Sequence, residues 1–550
     1  MAMTLSERRA DYDVLIIGGG VNGTGLARDL ALRGLRTLLA ERNDLAFGAS
    51  GNSSGMIHGG PRYLTAHPEV TRSSCLDSGY IQRIAPHMIF RIPFIVPIYG
   101  NGVQARVKLD AFDAFFSEYD RYQPLKRGKA HTRLKPDEAA RVVPGLNTAK
   151  MAGCVTFDEW GINGTRLCVA NALDAEEHGA TVLLHTTVEK VHVEQGRVTG
   201  ARLRDRLTGV AREVTATVVV NATGAWGPIT AELAGLPGRV KVRPGKGVHL
   251  VLDRPVTDVA VNATSIDGRM IFIEPWENTA LIGTTDDDTY ADLDDLPVTT
   301  DEVRYLLEGV ERVLPRVREA RVVGTTVGAR PTIYGWGKYE DELSREHEVI
   351  DHGVHGAKGL YSLVGGKLAS YRLFAQEAAD LIAPTLGNHT PCSTHRSPLP
   401  GGEHTSDVDA LAERYGVARY AAQRIVSRHG SRSAQVLGEG GRGGRAVVCA
   451  SEPVLACEIR YVTRVERART LMDLSRRTNL GTHVCGGADC ALKAAMIMGE
   501  LRGWSAAEAR EEAATLLRAR IRSRLPALGA AGARSEGAVH AALRAMGKTS

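Results

Sequence analysis

Residues 14–41 leave this chain little choice of architecture. An apolar strand, Val14-Leu15-Ile16-Ile17, runs into Gly18-x-Gly20-x-x-Gly23 and a helix-like stretch, and Glu41 follows 23 positions after Gly18, closing a second apolar run, Leu38-Leu39-Ala40. That order is the order of a dinucleotide-binding βαβ unit. Each glycine has a task in such a unit. Gly18 makes the tight turn, Gly20 lets backbone approach a pyrophosphate, and Gly23 allows close helix–strand packing, so that the anion meets the positive end of a helix. Glu41 is placed to accept hydrogen bonds from ribose hydroxyls. A turn without a ligand would explain any one of these features, but not their agreement. The unit by itself does not choose between FAD and NAD.

At 550 residues the chain is long enough for two or three domains. Its net charge of +5 is small for that length and calls for no nucleic-acid partner, although it favours phosphate-bearing substrates and an anionic membrane surface. No apolar run reaches the ~20 residues that span a bilayer, and the N-terminal stretch has no apolar signal core. The expected location is the cytoplasm, peripheral on the inner face of the cell membrane.

The stretch from Gly48 to Leu64 is too small and polar for a core: Gly48-Ala49-Ser50-Gly51-Asn52-Ser53-Ser54-Gly55-Met56-Ile57-His58-Gly59-Gly60-Pro61-Arg62-Tyr63-Leu64. Small residues let backbone lie against a flat ligand, and the hydroxyls of Ser50, Ser53 and Ser54 can reach phosphates or a ring edge. The opening unit followed by this loop resembles the FAD-dependent glycerol-3-phosphate dehydrogenases. In that family the equivalent serines and the backbone of Ile57, His58, Gly59 and Gly60 hold the flavin. Pro61 stands where the family usually has leucine, and Gly55 where it has lysine. Val218-Val219-Val220-Asn221-Ala222-Thr223-Gly224 resembles a second flavin-domain signature, whose Ala222-Thr223-Gly224 turn packs against the dinucleotide and favours FAD over NAD. The resemblance further implies that backbone near Val188 meets the adenine. It also implies that Gly366, Lys367 and Leu368 open a helix whose N-terminus faces the flavin pyrimidine. Ala369 replaces a threonine common in relatives.

Oxidising a secondary alcohol with a flavin needs a base for the hydroxyl proton while hydride leaves carbon. His249, in Lys246-Gly247-Val248-His249, is the candidate base. A lone histidine on an apolar strand is as readily a satisfied core residue, and the family match tips the reading. Arg330 is the candidate for stabilising the developing alkoxide. A phosphate dianion in a partly buried pocket needs several donors. The resemblance implies that Arg62, Tyr63, Arg269, Arg345 and Lys367 supply them. The aspartate runs 286–288 and 292–295 read as solvated loops.

After Pro398-Leu399-Pro400-Gly401-Gly402 the sequence turns helical and rich in Ala, Arg and Glu. Four of the eight cysteines, Cys449, Cys457, Cys485 and Cys490, fall in this tract, and such a cluster asks for a metal explanation. Val448-Cys449-Ala450-Ser451 and Cys485-Gly486-Gly487-Ala488-Asp489-Cys490 resemble the tail found in the anaerobic branch of the family. There Cys-x-Cys and a later Cys-x-x-x-x-Cys hold a two-iron, two-sulfur cluster. Here Ser451 replaces the second cysteine, and its oxygen is a poor substitute for a soft sulfur ligand. Three outcomes stay open for Cys449, Cys485 and Cys490: an iron-sulfur cluster, a zinc ion, or free thiols in a vestigial site. Arg518, Arg520, Arg522 and Arg524 read either as an exposed helix face or as a membrane contact.

The expected architecture is an α/β chain. A Rossmann-like FAD-binding domain takes residues 11–90, 150–235 and 320–385, an antiparallel-sheet capping domain takes 91–149 and 236–319, and a mainly helical C-terminal domain takes 386–550. The resemblance implies oxidation of glycerol 3-phosphate to dihydroxyacetone phosphate, with electrons passing to a quinone directly or through partner subunits. Two rivals remain on sequence alone: a flavin amine or hydroxy-acid oxidase, and a non-catalytic FAD-binding electron-transfer protein. Oligomeric state is not readable.

Overall fold

The structure is a computed structural model and describes residues 10–65, 68–337, 346–529, 532–538 and 541. Arg345 lies outside the described residues, and of Arg62 only the backbone, in the Pro61–Tyr63 turn, is described.

The strand Tyr12–Ile17 reads as an unbroken apolar run because it is covered on both faces. Val14 and Ile16 pack with Leu26 and Leu30 of the following helix, whereas Leu15 and Ile17 pack with Leu38, Ala40 and Val188 on the other side. It is the centre of a sheet ordered His347–Asp351, Leu360–Gly365, Ala211–Asn221, Tyr12–Ile17, Thr37–Ala40, Thr181–Leu183. The pairings on both sides of the central strand are parallel, and only the His347–Asp351 edge runs antiparallel along this path. The hairpin Thr186–Glu194 and Arg197–Asp205 joins through the Ala211–Asn221 strand.

A second sheet of nine strands runs Asp287–Asp288, Val242–Leu252, Thr279–Gly283, Met270–Trp276, Ala260–Thr264, Ile89–Tyr99, Met151–Ile162, Thr132–Leu134, with Val322–Ile333 also on the Val242–Leu252 strand. It is antiparallel apart from the Ala260–Thr264 pairing with Ile89–Tyr99. Two strands differ from the sequence-based division. Met151–Ile162 pairs with Ile89–Tyr99 along nearly its whole length, and Val322–Ile333 pairs with Val242–Leu252 in the same way, so both belong to the second sheet rather than to the nucleotide-binding one. Alternation marks a strand but does not say which partner it finds.

The C-terminal region is built of helices, with one short pairing of Val447–Cys449 and Val454–Leu455. It is tied back firmly. Buried Arg28, on the helix after the glycine turn, donates to the carbonyls of Ser397 (2.6 Å) and Thr394 (3.2 Å), and Arg33 reaches the Thr390 carbonyl (3.1 Å). The helix Leu471–Thr478 sends two arginines into the loop after Thr37–Ala40. Arg477 pairs with buried Asp44 (2.6 Å to Oδ1), and Arg476 donates to the Ala46 carbonyl (2.5 Å). Among the described residues, no helix is long and apolar enough to cross a membrane.

Candidate active site

The nucleotide cradle is shaped by close backbone approach. A Cβ on Gly18, whose φ is +111°, would stand 2.7 Å from the Ala222 carbonyl oxygen, and one on Gly23 would stand 2.0 Å from the Gly18 carbonyl oxygen. Gly20 differs: a Cβ there would meet only Ser50 Oγ, so its outer side is open. The helix Val21–Leu32 has no side-chain N-cap, and its first amide donates to Ser50 Oγ at 2.9 Å. Uncapped amides at a positive helix end beside a glycine suit a pyrophosphate. Thr223 bonds Asn221 Oδ1 (2.7 Å) and Thr230 (2.9 Å) in the turn that ends at Gly224, with φ +58°. Glu41 already holds the glycine turn: Oε2 accepts from Gly19 N (2.6 Å) and Oε1 from Asn43 N (2.7 Å). Burial raises its carboxyl above the usual range while those amides pull the other way. Val188 is buried, packed among Leu38 and Ala40.

The catalytic face follows from strand register. His249 pairs with Thr326 on one side and Gly283 on the other, and Gly245 pairs with Arg330, so His249 and Arg330 share one face with Gly245, Gly247, Gly283 and Gly328 between them. The glycines are required by the crowding. A Cβ on Gly283 would lie 2.2 Å from the His249 ring, one on Gly247 would lie 2.6 Å from the Arg330 guanidinium, and one on Gly328 would meet Asn52 at 3.1 Å. The face therefore lies against the Ala49–Asn52 turn of the cradle loop. His249 Nε2 is 3.0 Å from Ser54 Oγ. Burial first, then the Arg330 charge, push the imidazole down to about 3, which keeps it neutral at physiological pH. Arg330 is aimed by Asp286 Oδ1 (2.9 Å), Thr284 Oγ1 (2.9 Å) and the Thr285 carbonyl (3.0 Å).

The remaining expected residues divide. Lys367 Nζ lies 4.0 Å from the centroid of the Tyr63 ring, so these two are brought together from opposite ends of the catalytic region. Arg269 reaches the site through Asp286, donating to its carbonyl oxygen and to Asp287 Oδ1 (2.9 Å). The run 286–288 is only in part a solvated loop: Asp287 is exposed and pairs with Arg269, whereas Asp286 and Asp288 are partly buried against Arg330 and Arg243. In the second run, Asp294 accepts from Arg42 and Trp226 Nε1, and Asp295 pairs with Arg522. Gly59 is pressed against Tyr119 and Cys75, His58 lies just before it, and the Ser53 hydroxyl accepts from Gly55 N at 3.3 Å. Gly366 (φ +88°) and Lys367 lead into the Leu368–Ser370 turn ahead of the helix Tyr371–Ile382. A cavity of about 410 Å³, walled by Leu184, Asp205, Arg467 and Arg469, includes none of these residues.

One buried acid has no counterpart among the sequence expectations. Glu274 is fully buried, shares the His249 face through the Phe272–Gly283 pairing, and among the described residues has no hydrogen-bond partner at either oxygen. Burial alone raises its carboxyl well above the usual range, so it is held as the neutral acid. The alternation Phe272, Glu274, Trp276 is the one signal available in sequence. Above about pH 4.3, where an unfolded glutamate ionises, the unfolded chain sheds a proton that the folded chain keeps. Stability is then lost at up to ~1.4 kcal/mol per pH unit until the folded group ionises. Glu274→Gln removes that difference, and its stability advantage over the parent should grow as pH rises from 5 to 8 in urea unfolding. A constant gap would mean a charged Glu274 in the folded chain.

In the C-terminal domain, the sulfurs of Cys449, Cys485 and Cys490 lie within 4.8 Å of one another, and Ser451 is among the groups that bear on the Cys485 thiol. Cys457 is elsewhere, packed with Leu455 and Tyr461. A two-iron cluster divides four thiolates between two metals and so spreads them beyond the edge of one tetrahedron. Three sulfurs this close, with an oxygen in the fourth motif position, do not fit it. The four arginines of the last long helix do not form one free face. Arg518 pairs with Glu511, Arg522 with Asp295 and Arg524 with Glu536, while Arg520 turns inward to Ser475 Oγ (2.6 Å).

The comparisons with known proteins agree with this geometry. A family model described as FAD dependent oxidoreductase matches residues 13–372, and one described as the C-terminal domain of alpha-glycerophosphate oxidase matches 392–509. A subunit of the anaerobic glycerol-3-phosphate dehydrogenase of Escherichia coli K12 is 34% identical over 515 residues, 92% of each chain. The chain belongs to the FAD-dependent glycerol-3-phosphate dehydrogenase family. A glycerol-3-phosphate dehydrogenase of Mycobacterium leprae is 32% identical over 92% of this family member and 87% of its own length. The crystal structure of the Bacillus halodurans glycerol-3-phosphate dehydrogenase complexed with FAD superposes with a TM-score of 0.75 at 26% identity, covering 96% of this chain and 97% of that one. The expected fold class and FAD as cofactor stand on these matches and on the open Gly20 cradle.

Proposed function

We propose that this family member oxidises sn-glycerol 3-phosphate to dihydroxyacetone phosphate and passes the electrons to a quinone, directly or through partner subunits. The observation that carries the reading is the pairing of a neutral, Ser54-bonded His249 with an oriented Arg330 on one glycine-floored face against the cradle loop. Bound FAD supplies the hydride acceptor. His249 takes the proton of the secondary hydroxyl, and Arg330, already held by Asp286 and Thr284, stabilises the negative charge that develops on that oxygen. Lys367 and Tyr63, with Arg62 and Arg345, hold the phosphate. Arriving beside the face, the dianion offsets the Arg330 charge that depresses His249, so the imidazole becomes a stronger base in the complex than in the free enzyme.

The acid limb of kcat should therefore fall at higher pH than that of kcat/KM, and His249→Asn should cut turnover and abolish both limbs. An unchanged profile in the variant would assign the base elsewhere. The decisive test of the activity mixes purified FAD-loaded protein with glycerol 3-phosphate under nitrogen. Bleaching of the flavin band, reversed by a quinone, is expected. Absence of bleaching would leave a non-catalytic flavoprotein, and rapid peroxide formation in air without quinone would favour an oxidase.

A further inference from the structure

The C-terminal thiols carry an inference independent of the activity. Cys449 ends the Val447–Cys449 strand, Cys485 lies in the turn 481–490, and Cys490 is the N-cap residue of the helix Ala491–Arg502. Three segments thus deliver three sulfurs to one point. A tetrahedral zinc ion with Zn–S bonds of about 2.3 Å sets its sulfurs about 3.8 Å apart, inside the 4.8 Å limit found here. Ser451, two residues after Cys449 and close enough to bear on the Cys485 thiol, is the oxygen donor at hand for the fourth position, and zinc accepts oxygen.

A second observation concerns charge. Among the described residues Arg520 Nε is buried without a hydrogen-bond partner, the guanidinium donates to Ser475 Oγ, and Cys485 and Cys490 are close enough to bear on its charge. Among the described residues it makes no ion pair, whereas its neighbour Arg524 is balanced by Glu536. A buried cation left uncompensated is costly. Three neutral thiols would leave Arg520 in that condition. Zinc with three thiolates carries one net negative charge, which matches the single unbalanced arginine beside it.

We propose that Cys449, Cys485 and Cys490 bind one zinc ion, with the Ser451 hydroxyl as fourth ligand and Arg520 as counter-charge, and that the ion pins the 481–490 turn to the strand and to the long helix Ala506–Arg524. Binding releases the thiol protons, so affinity falls in acid. The test uses the full-length holoenzyme. Elemental analysis should give one zinc per chain without acid-labile sulfide, and cobalt exchanged for zinc should give the ligand-field bands of a tetrahedral thiolate site at wavelengths beyond the flavin absorption. Cys490→Ser should reduce zinc to background, and if that variant does not fold, the half-exposed Cys485→Ser serves in its place. Cys457→Ala should retain the ion. Two irons with labile sulfide after anaerobic reconstitution, binding of neither metal, or loss of zinc only from the Cys457 variant would each overturn the assignment.

Discussion

Arg330→Ala should slow flavin reduction by glycerol 3-phosphate by about 10²–10³-fold at saturating substrate, the range seen when one preorganised oxyanion donor is removed, while the FAD content stays unchanged. The asymmetry follows from placement. Arg330 belongs to the second sheet and is bonded to Asp286 and Thr284, whereas the proposed dinucleotide cradle, the glycine turn with Ser50 and the Ala222-Thr223-Gly224 turn, is set by the first sheet. Arg330→Lys keeps a charge but loses the fork that engages Asp286 and Thr284 together, so it should recover only part of the rate. Stopped-flow reduction under nitrogen reads both variants, and a near-normal rate in Arg330→Ala would remove the residue from the chemistry.

Arg477→Met should cost about 3–5 kcal/mol of stability, the penalty for stranding one member of a buried ion pair. Arg477 is fully buried, its partner Asp44 is nearly so, and the neighbouring Arg476 holds the Ala46 carbonyl in the same loop. That loop leads within a few residues to Ser50 and the Ala49–Asn52 turn, so the variant should also bind FAD more weakly. Asp44→Asn should behave alike, and the double variant should be less destabilised than the sum, because the second substitution removes the stranded partner. Urea unfolding followed by flavin release reads all three. Additive losses would show that the pair is not coupled across the domain seam.

Much of the nucleotide half is legible in sequence because its cues are local. A strand, three glycines and an acid within 30 positions dictate a turn and a helix end, and Gly18, Gly20 and Gly23 stand in the turn and at the start of the helix. The second half depends on pairing between distant strands, which periodicity does not encode. Met151–Ile162 and Val322–Ile333, placed by sequence in the nucleotide-binding domain, are strands of the other sheet. His249 and Arg330 are each recognisable alone in the sequence. What makes them a unit is the Val242–Leu252 to Val322–Ile333 register and the glycines that clear the face. Asp286 looks like part of a solvent-facing acidic run and proves to aim Arg330, because sequence does not show which charge another charge will meet. Glu274 stays hidden for a related reason: an acid in an apolar strand carries no sign of whether it finds a partner.

The strap formed by residues 390–397 has a bearing on how this chain can be divided. Its carbonyls satisfy Arg28 and Arg33, both on the helix that begins at the glycine turn, and the Thr394 hydroxyl accepts from Arg372. The two matched families part between 372 and 392, but the physical seam does not follow that line. A fragment ending there would keep the ion pairs of Arg28 with Asp174, Arg33 with Asp29 and Arg372 with Asp77, but would lose the acceptors that the strap adds to each guanidinium. The tail thus acts as an outer wall that completes the hydrogen bonding of arginines rooted in the nucleotide-binding half.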